Sequence, residues 1–302
     1  EILKLDANKI TTISSGSFDC LTNLTMLSLK DNYIDSITDD QPLQTPFFPR
    51  SLKVLAMSRF LLNFDFDRFW NMSPQLQELH ILNLHIAPGN KQWPLKSSFK
   101  FIPRIRILVL TGNGIRILLS GTFTKLEHLK QLDLSFNKIK IIENNAFYKL
   151  PSLNTLDLNH NNLESTPCLN EVNNLKTLTM KVNSISKLEY CTFMGKVNLV
   201  SLSLTPNRLT SITPLDIPDL KALKISNIST NKIAVILHGS LDLLQSLNVL
   251  YTSYNPFVCT CEQLQFRDWF VQITKNESSP IFQHSYACAS PPKWRSEEHT
   301  SE

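Results

Sequence analysis

The sequence predicts an α/β solenoid: an elongated stack of similar coils with a parallel β-sheet on its concave side and a disulfide-stapled cap at its C-terminal end. Three observations predict it. A pattern L-x-x-L-x-L-x-x-N-x-[IL] recurs, most cleanly in Leu129, Leu132, Leu134, Asn137, Ile139 and again in Leu153, Leu156, Leu158, Asn161, Leu163. The two copies stand 24 residues apart, and further copies open at Leu24, Leu52, Leu76, Ile105, Leu175, Leu199, Leu223 and Leu247. After the last copy the composition changes to a segment holding Cys259, Cys261 and Cys288.

Self-similarity at a fixed period of this length is the mark of a repeat architecture, and this pattern matches the leucine-rich repeat. Residues 1–254 hold about ten repeats, the first incomplete and those around 39–104 irregular; 255–294 form the cap and 295–302 a polar tail. Within a unit, x-L-x-L-x alternates with period two, so Leu132 and Leu134 point inward while Gln131, Asp133 and Ser135 face out. Each coil then adds one strand to a parallel sheet. Strands sit about 4.8 Å apart, the returning segments are bulkier, and the stack must bend with its sheet inside.

The returning segments carry core residues of their own: Phe18 with Leu21, Phe123 with Leu126, Phe147 with Leu150, and Phe193 with Val197. Each fully buried side chain of this size stabilises by about 1.5–3 kcal/mol. Where the chain turns out of each strand, backbone groups are buried and need partners. An amide side chain both donates and accepts. Asn8, Asn32, Asn113, Asn137, Asn161, Asn183, Asn207, Asn231 and Asn255 are therefore expected to form a ladder between adjacent coils, broken at Phe60 and Leu84.

Two longer spacings, from Leu24 to Leu52 and from Leu76 to Ile105, contain proline-rich insertions that must loop out. Phe47, Phe48, Trp93, Phe99 and Phe101 lie in or beside them. Two readings of these aromatics stand: a ligand pocket on the loops, or plugs filling the space left by the missing asparagines.

Composition excludes several function classes. With 42% hydrophobic and 19% charged residues the chain can pack a core and is not a disordered segment. The formal charge of +4 is scattered, with no Lys/Arg run, so nucleic acid is not indicated as a ligand. No phosphate-binding glycine loop occurs, and seven scattered histidines form no H-E-x-x-H or nucleophile-and-base arrangement. No catalytic site, metal or cofactor is expected. His80 and His85 read either as solvated side chains or as ligand contacts. Cys259-x-Cys261 lacks the second close pair of ligands that zinc would need.

The cysteines, together with N-x-[ST] sequons at Asn23, Asn71, Asn227 and Asn276, indicate a secretory route. Cys168 and Cys191 take nearly the same place in consecutive repeats, as a disulfide or as two buried thiols; Cys20 has no evident mate. No stretch is apolar for the eighteen residues a membrane span requires.

Asn255-Pro256-Phe257-Val258-Cys259-Thr260-Cys261, the F-x-x-W-F run of Phe266, Trp269 and Phe270, and Cys288 with Pro291 resemble the C-terminal repeat cap of Toll-like receptor ectodomains. The mixture of 24-residue and longer irregular repeats is similar as well. The resemblance implies a Cys259 to Cys288 bridge; the fourth cap cysteine that would pair with Cys261 does not occur in this sequence, so either the cap is cut short here or Cys261 has another partner. It further implies recognition of a microbial or danger-associated ligand, homo- or heterodimeric pairing through the lateral face of the last repeats, and anchorage to a membrane. The recognition surface would then be extracellular or on the luminal side of an endosome. Ligand contacts are expected on the outward concave positions, including Arg106, Thr111, Gln131, Asp133, Ser135, Asp157, Asn159 and Lys181. The alternative reading is a leucine-rich-repeat adhesion or matrix protein that binds a protein partner.

Overall fold

The computed structural model describes residues 1–14, 16–38, 48–59, 61–62, 75–86, 99–218, 220–237, 239–240, 244 and 246–258. Every repeat opening read from the sequence becomes a strand of one parallel sheet. Its eleven strands follow chain order from Ile2–Lys4 and Met26–Leu29, through Gln131–Asp133 and Thr155–Asp157, to Ile225–Asn227 and Val249–Tyr251. The register never slips: Leu132 pairs with Leu108 on one side and Leu156 on the other. Leu132, Leu134, Leu156 and Leu158 are at most 1% exposed, so the inward row is a continuous apolar interior.

The returning wall contains little regular structure. Short strands pair two by two, as in Ile117–Leu118 with Ile141–Ile142 and Ser211–Ile212 with Val235–Ile236. Among the described residues the α component is one turn, Tyr190–Phe193. The phenylalanines form a stacked spine, with ring centroids 5.8 Å apart for Phe99 and Phe123 and 6.0 Å for Phe123 and Phe147. Strands repeat about every 4.8 Å, so each coil is about 1 Å wider on the ring side, which is the cause of the bend.

The asparagine ladder forms as the pattern requires. Asn161 is typical: its Nδ2 donates to the carbonyls of Leu134 (3.0 Å) and Leu158 (3.1 Å), and its Oδ1 accepts the Ile139 N–H at 2.9 Å. Near the irregular repeats, Asn113 bonds the Ile81 carbonyl and accepts the N–H of Leu84, the residue that replaces an asparagine. The residue before a ladder asparagine has a positive φ in every case but Pro206, as in Asp31, Phe136, His160, Val182 and Tyr254. At Gly112 a Cβ would stand 2.1 Å from Asn83 Oδ1, which accounts for glycine there.

Of the two open readings of the aromatics one is favoured, and one sequence expectation changes. Phe48 and Phe99 are 1% and 0% exposed and Phe48 stacks on Phe18 at 6.1 Å, so they are core plugs and not pocket walls. Phe101 is half-buried against the same core, with the Lys100 ammonium 4.6 Å from its ring centre. Phe47 and Trp93 lie outside the described residues. Val197 is exposed, and the inward place it was expected to fill belongs to Lys196, which is fully buried. Lys196 Nζ donates to the Met194 carbonyl at 3.0 Å, and burial pushes its pKa down against the pull of Glu171.

Leu126, Leu150 and Leu220 occupy the corresponding place in other repeats. A lysine whose folded pKa is lowered carries its full cost below that value and sheds it as pH rises to the ordinary lysine range. Lys196→Met is therefore expected to raise the thermal midpoint at neutral pH, by a gain of order 1 kcal/mol. The gain should fade near pH ~10. Melting curves at both pH values check it, and Met194, being exposed, can replace its lost donor with water.

Cys168 and Cys191 form a disulfide, with Cα atoms 4.9 Å apart. It bridges the one short step in the regular part of the array, 22 residues from Leu153 to Leu175, to the coil that follows. In that short coil Leu169 stands where its neighbours carry a phenylalanine, so the staple accompanies the interruption of the ring spine. Cys20 is exposed, with a thiol that is free among the described residues. The predicted cap with Cys259, Cys261, Cys288, Phe266, Trp269 and Phe270, and the polar tail, lie outside the described residues.

Candidate functional site on the concave sheet

The outward strand positions are brought into rows by the parallel register. Asp133 pairs with Asp157, Asp157 with Thr179, and Asp133 on its other side with Val109, whose neighbour in turn is His80. Residues 22 to 29 positions apart in sequence thus become cross-strand neighbours about 4.8 Å apart. The surface they make is an open polar sheet. A depression of about 300 Å³ lies elsewhere, on the returning side, lined by Lys140, Asn144, Ser165, Cys168 and Glu189 among others.

Of the expected contact residues, Arg106, Gln131 and Lys181 are exposed, and Thr111, Asp133, Asp157 and Asn159 are half-buried at the surface. Ser135 departs from the expectation. It is only 5% exposed, with its Oγ 3.4 Å from Thr111 Oγ1, because the chain has begun its turn there and the next residue, Phe136, takes the rim. Phe136 is 59% exposed and its ring stacks on His160 with centroids 4.1 Å apart.

A device that sequence reasoning missed orders these side chains. Asp133 Oδ1 accepts the Ser135 N–H at 2.8 Å, Asp157 Oδ1 accepts that of Asn159 at 2.8 Å, and Asn227 Oδ1 accepts that of Ser229 at 3.0 Å. A short polar side chain bonding the amide two residues on caps the strand end. The spacing D-x-S, D-x-N, N-x-S at one repeat position was the available signal. Asn159 has a structural duty too, its Oδ1 accepting the Lys181 N–H at 2.6 Å.

Burial raises the pKa of Asp157, the neighbouring Asp133 adds to the rise, and hydrogen bonds from Asn159 and Thr179 with the charge of Lys181 work against it. One oxygen of each aspartate is committed to the backbone, and the two carboxyls form an acidic patch held in place. His80, 3.8 Å from Glu78, is held below the ordinary histidine value of 6.5, first by burial and then by Lys30, while Glu78 and Asp133 pull it up. His80 therefore contributes stability in its neutral form, intact above 6.5 and lost as pH falls through its lowered value. His85 sits in the short strand His85–Ile86 on the returning wall, away from the sheet.

Among the sequon asparagines, Asn23 is exposed beside the first coil, and Asn227 is half-buried on the concave strand Ile225–Asn227. Asn71 and Asn276 lie outside the described residues. No group of three or more His, Cys, Asp or Glu side chains that could hold a metal occurs among the described residues, and none of their helices is long and apolar enough to cross a membrane.

Comparison with known proteins follows the same lines. Residues 1–41 and 103–163 match the family described as Leucine rich repeat. Mouse (Mus musculus) CD180 antigen is 27% identical over 109 residues, 36% of this chain and 16% of that protein. Human (Homo sapiens) Toll-like receptor 5 is 34% identical over 98 residues, 32% of this chain and 11% of the receptor. The chain therefore matches only a small part of the length of these relatives.

Among solved structures, a chain of an octameric complex of Latrophilin 3, Unc5D and FLRT2 (LRR) superposes with a TM-score of 0.79 at 21% identity, covering 96% of this chain and 85% of that one. The Drosophila Toll–Spatzle complex gives 0.76 at 19% identity, over 90% of this chain and 35% of the other. At those identities the likeness is one of fold.

Proposed function

We propose, from the premise that this chain is a leucine-rich-repeat solenoid of Toll-like-receptor type, that it is the ligand-recognition region of a Toll-like innate immune receptor. The observation that carries the reading is the division of labour within each strand. Inward positions are buried and apolar in nearly every coil, Ser226 and Thr252 being the polar exceptions, whereas outward ones range from Arg106 and Gln131 to Asp133, Asp157 and Lys181 without disturbing the register. A rigid sheet whose exposed face can vary freely is a platform for recognition.

The ligand proposed is a microbial or danger-associated molecule that meets the polar, mixed-sign concave face, with Asp133 and Asp157 at its centre. The whole receptor would be membrane-anchored, with this surface outside the cell or inside an endosome. Pairing would use the lateral face of the last repeats, and Asn23, Asn71, Asn227 and Asn276 would carry glycans. A glycan on Asn227 would stand on the concave face near the cap and displace ligand toward Arg106 and Asp133.

The test is a ligand screen on the whole ectodomain, followed by the double change Asp133→Lys and Asp157→Lys. Affinity for the ligand found is expected to fall by at least about tenfold, since a reversed charge at a contact site converts attraction into repulsion. Unchanged affinity would reject the concave site. The second reading is a leucine-rich-repeat adhesion or matrix protein that binds a protein partner. A downstream membrane span followed by a signalling domain in the full gene product favours the receptor; a secreted end favours the alternative.

A further inference from the structure

Cations that are scattered in the sequence form a line in the fold. The residue that enters each strand is Lys53, Gln77, Arg106, Lys130, Asn154, Lys176, Val200 and Lys224 in successive coils. Backbone hydrogen bonds join them: Gln77 N–H to the Lys53 carbonyl, Arg106 to Gln77, Lys130 to Arg106, Asn154 to Lys130, and so on to Lys224. The seven steps span roughly 34 Å at the strand spacing. Five of the eight positions are cationic, no gap between cations exceeds two steps, and none of the eight is a carboxylate. All five cations are exposed, and no salt bridge among the described residues engages any of them.

The opposite edge of the sheet differs. There the residue after each ladder asparagine gives Lys9, Lys138, Arg208 and Lys232, with uncharged Asn162 and Ser184 between Lys138 and Arg208. Nearby Lys140 is neutralised by Glu164 at 3.0 Å. A single-sign row on a rigid scaffold raises the local concentration of an extended anion, whereas charges that are already paired do little.

We propose that the strand-entry edge from Lys53 to Lys224 binds a linear sulfated polysaccharide. The row offers point charges at intervals of about 5 to 10 Å, and the uncharged Gln77 and Asn154 between them can bond sugar hydroxyls. Single-stranded nucleic acid fits less well, because the row presents no aromatic side chain on which a base could stack. This row shares Arg106 with the concave-face contacts but lies beside the Asp133 and Asp157 patch, and it does not depend on the concave-face reading.

The probe is heparin, titrated against the full chain at several salt concentrations, beside fully desulfated heparin and an oligothymidylate. Three proteins are compared: the unaltered chain, the row variant Lys130→Ala/Lys176→Ala/Lys224→Ala, and the opposite-edge variant Lys9→Ala/Lys138→Ala/Lys232→Ala. Both variants lower the formal charge from +4 to +1, so bulk charge is matched. All six lysines are exposed, and each change should alter stability by no more than about 0.5 kcal/mol, which melting curves verify.

The expected result is heparin binding near ~0.15 M salt that weakens as salt rises, lost by at least about tenfold in the row variant and by less than about threefold in the opposite-edge variant. Desulfated heparin and the oligonucleotide should bind at least about tenfold more weakly than heparin. The proposal is overturned if the unaltered chain does not bind heparin, if the row variant keeps its affinity, or if both variants lose equally. Equal binding of the oligonucleotide overturns the assignment to sugar.

Discussion

Asn137→Ala is expected to destabilise the solenoid by about 4 kcal/mol, the sum of buried groups each left unsatisfied at about 1–3 kcal/mol. Asn137 is 5% exposed, and its Nδ2 donates to the carbonyls of Leu110 at 2.8 Å, Leu134 at 2.9 Å and Ser135 at 3.1 Å. Its Oδ1 accepts the Ile115 N–H at 3.1 Å. Alanine takes this partner from the Ile115 N–H and the Leu110 carbonyl, while the Leu134 and Ser135 carbonyls lose one of two donors and keep Asn161 Nδ2 and the Gly112 N–H. Urea denaturation measures the loss, and hydrogen exchange should show the Ile115 amide losing protection while distant coils keep theirs. Asn162→Ala, at an exposed position outside the ladder, should cost no more than about 0.5 kcal/mol. Equal effects from the two changes would mean that the ladder does not hold the coils together.

The second large effect concerns the staple. Replacing Cys168 and Cys191 together with serine should cost about 3 kcal/mol, because the bridge closes a loop of 23 residues' separation and restricts the unfolded chain accordingly. Both cysteines are half-buried and Thr192 beside them is fully buried, its hydroxyl donating to the Pro167 carbonyl at 2.8 Å and lying 2.7 Å from Thr166 Oγ1. The loss should therefore appear first in the short coil around Leu169 and in the turn Tyr190–Phe193. Denaturation with and without reductant provides the measurement: reductant should shift the unaltered chain toward the double variant and leave the variant unmoved. A variant as stable as the unaltered chain would assign the bridge no part in stability.

How much of this was legible in the sequence depends on whether a residue's role follows its place in the period. The inward leucines and the ladder asparagines did, since the same geometry recurs every coil and Leu132, Leu134 and Asn137 could be placed by counting. In the returning wall, counting fails by one: Phe193 has apolar Val197 four residues on, yet Lys196 is inside, because the wall follows an i, i+3 step there and the lysine stem tolerates burial. Ser135 failed for a related reason, since alternation stops where the chain turns and residue 135 already belongs to the turn. The aspartates were read as outward, which they are, but their backbone caps depend on spacing that hydrophobic pattern alone does not expose. The bridge between Cys168 and Cys191 was one of two open readings until the coils were seen side by side. The cationic row was invisible as a run, because its members stand 22 or more residues apart in the chain.

The unslipping parallel register has an evolutionary corollary. If each coil meets its neighbours through the same row of amides, the same leucines and the same stacked ring, then Ile105 to His128 could be excised, or copied in tandem, and the flanking coils would close on one another with matching surfaces. Such an array can lengthen, shorten or reassort its exposed lettering by whole units, while a change of one or two residues inside a unit throws the seam out of line.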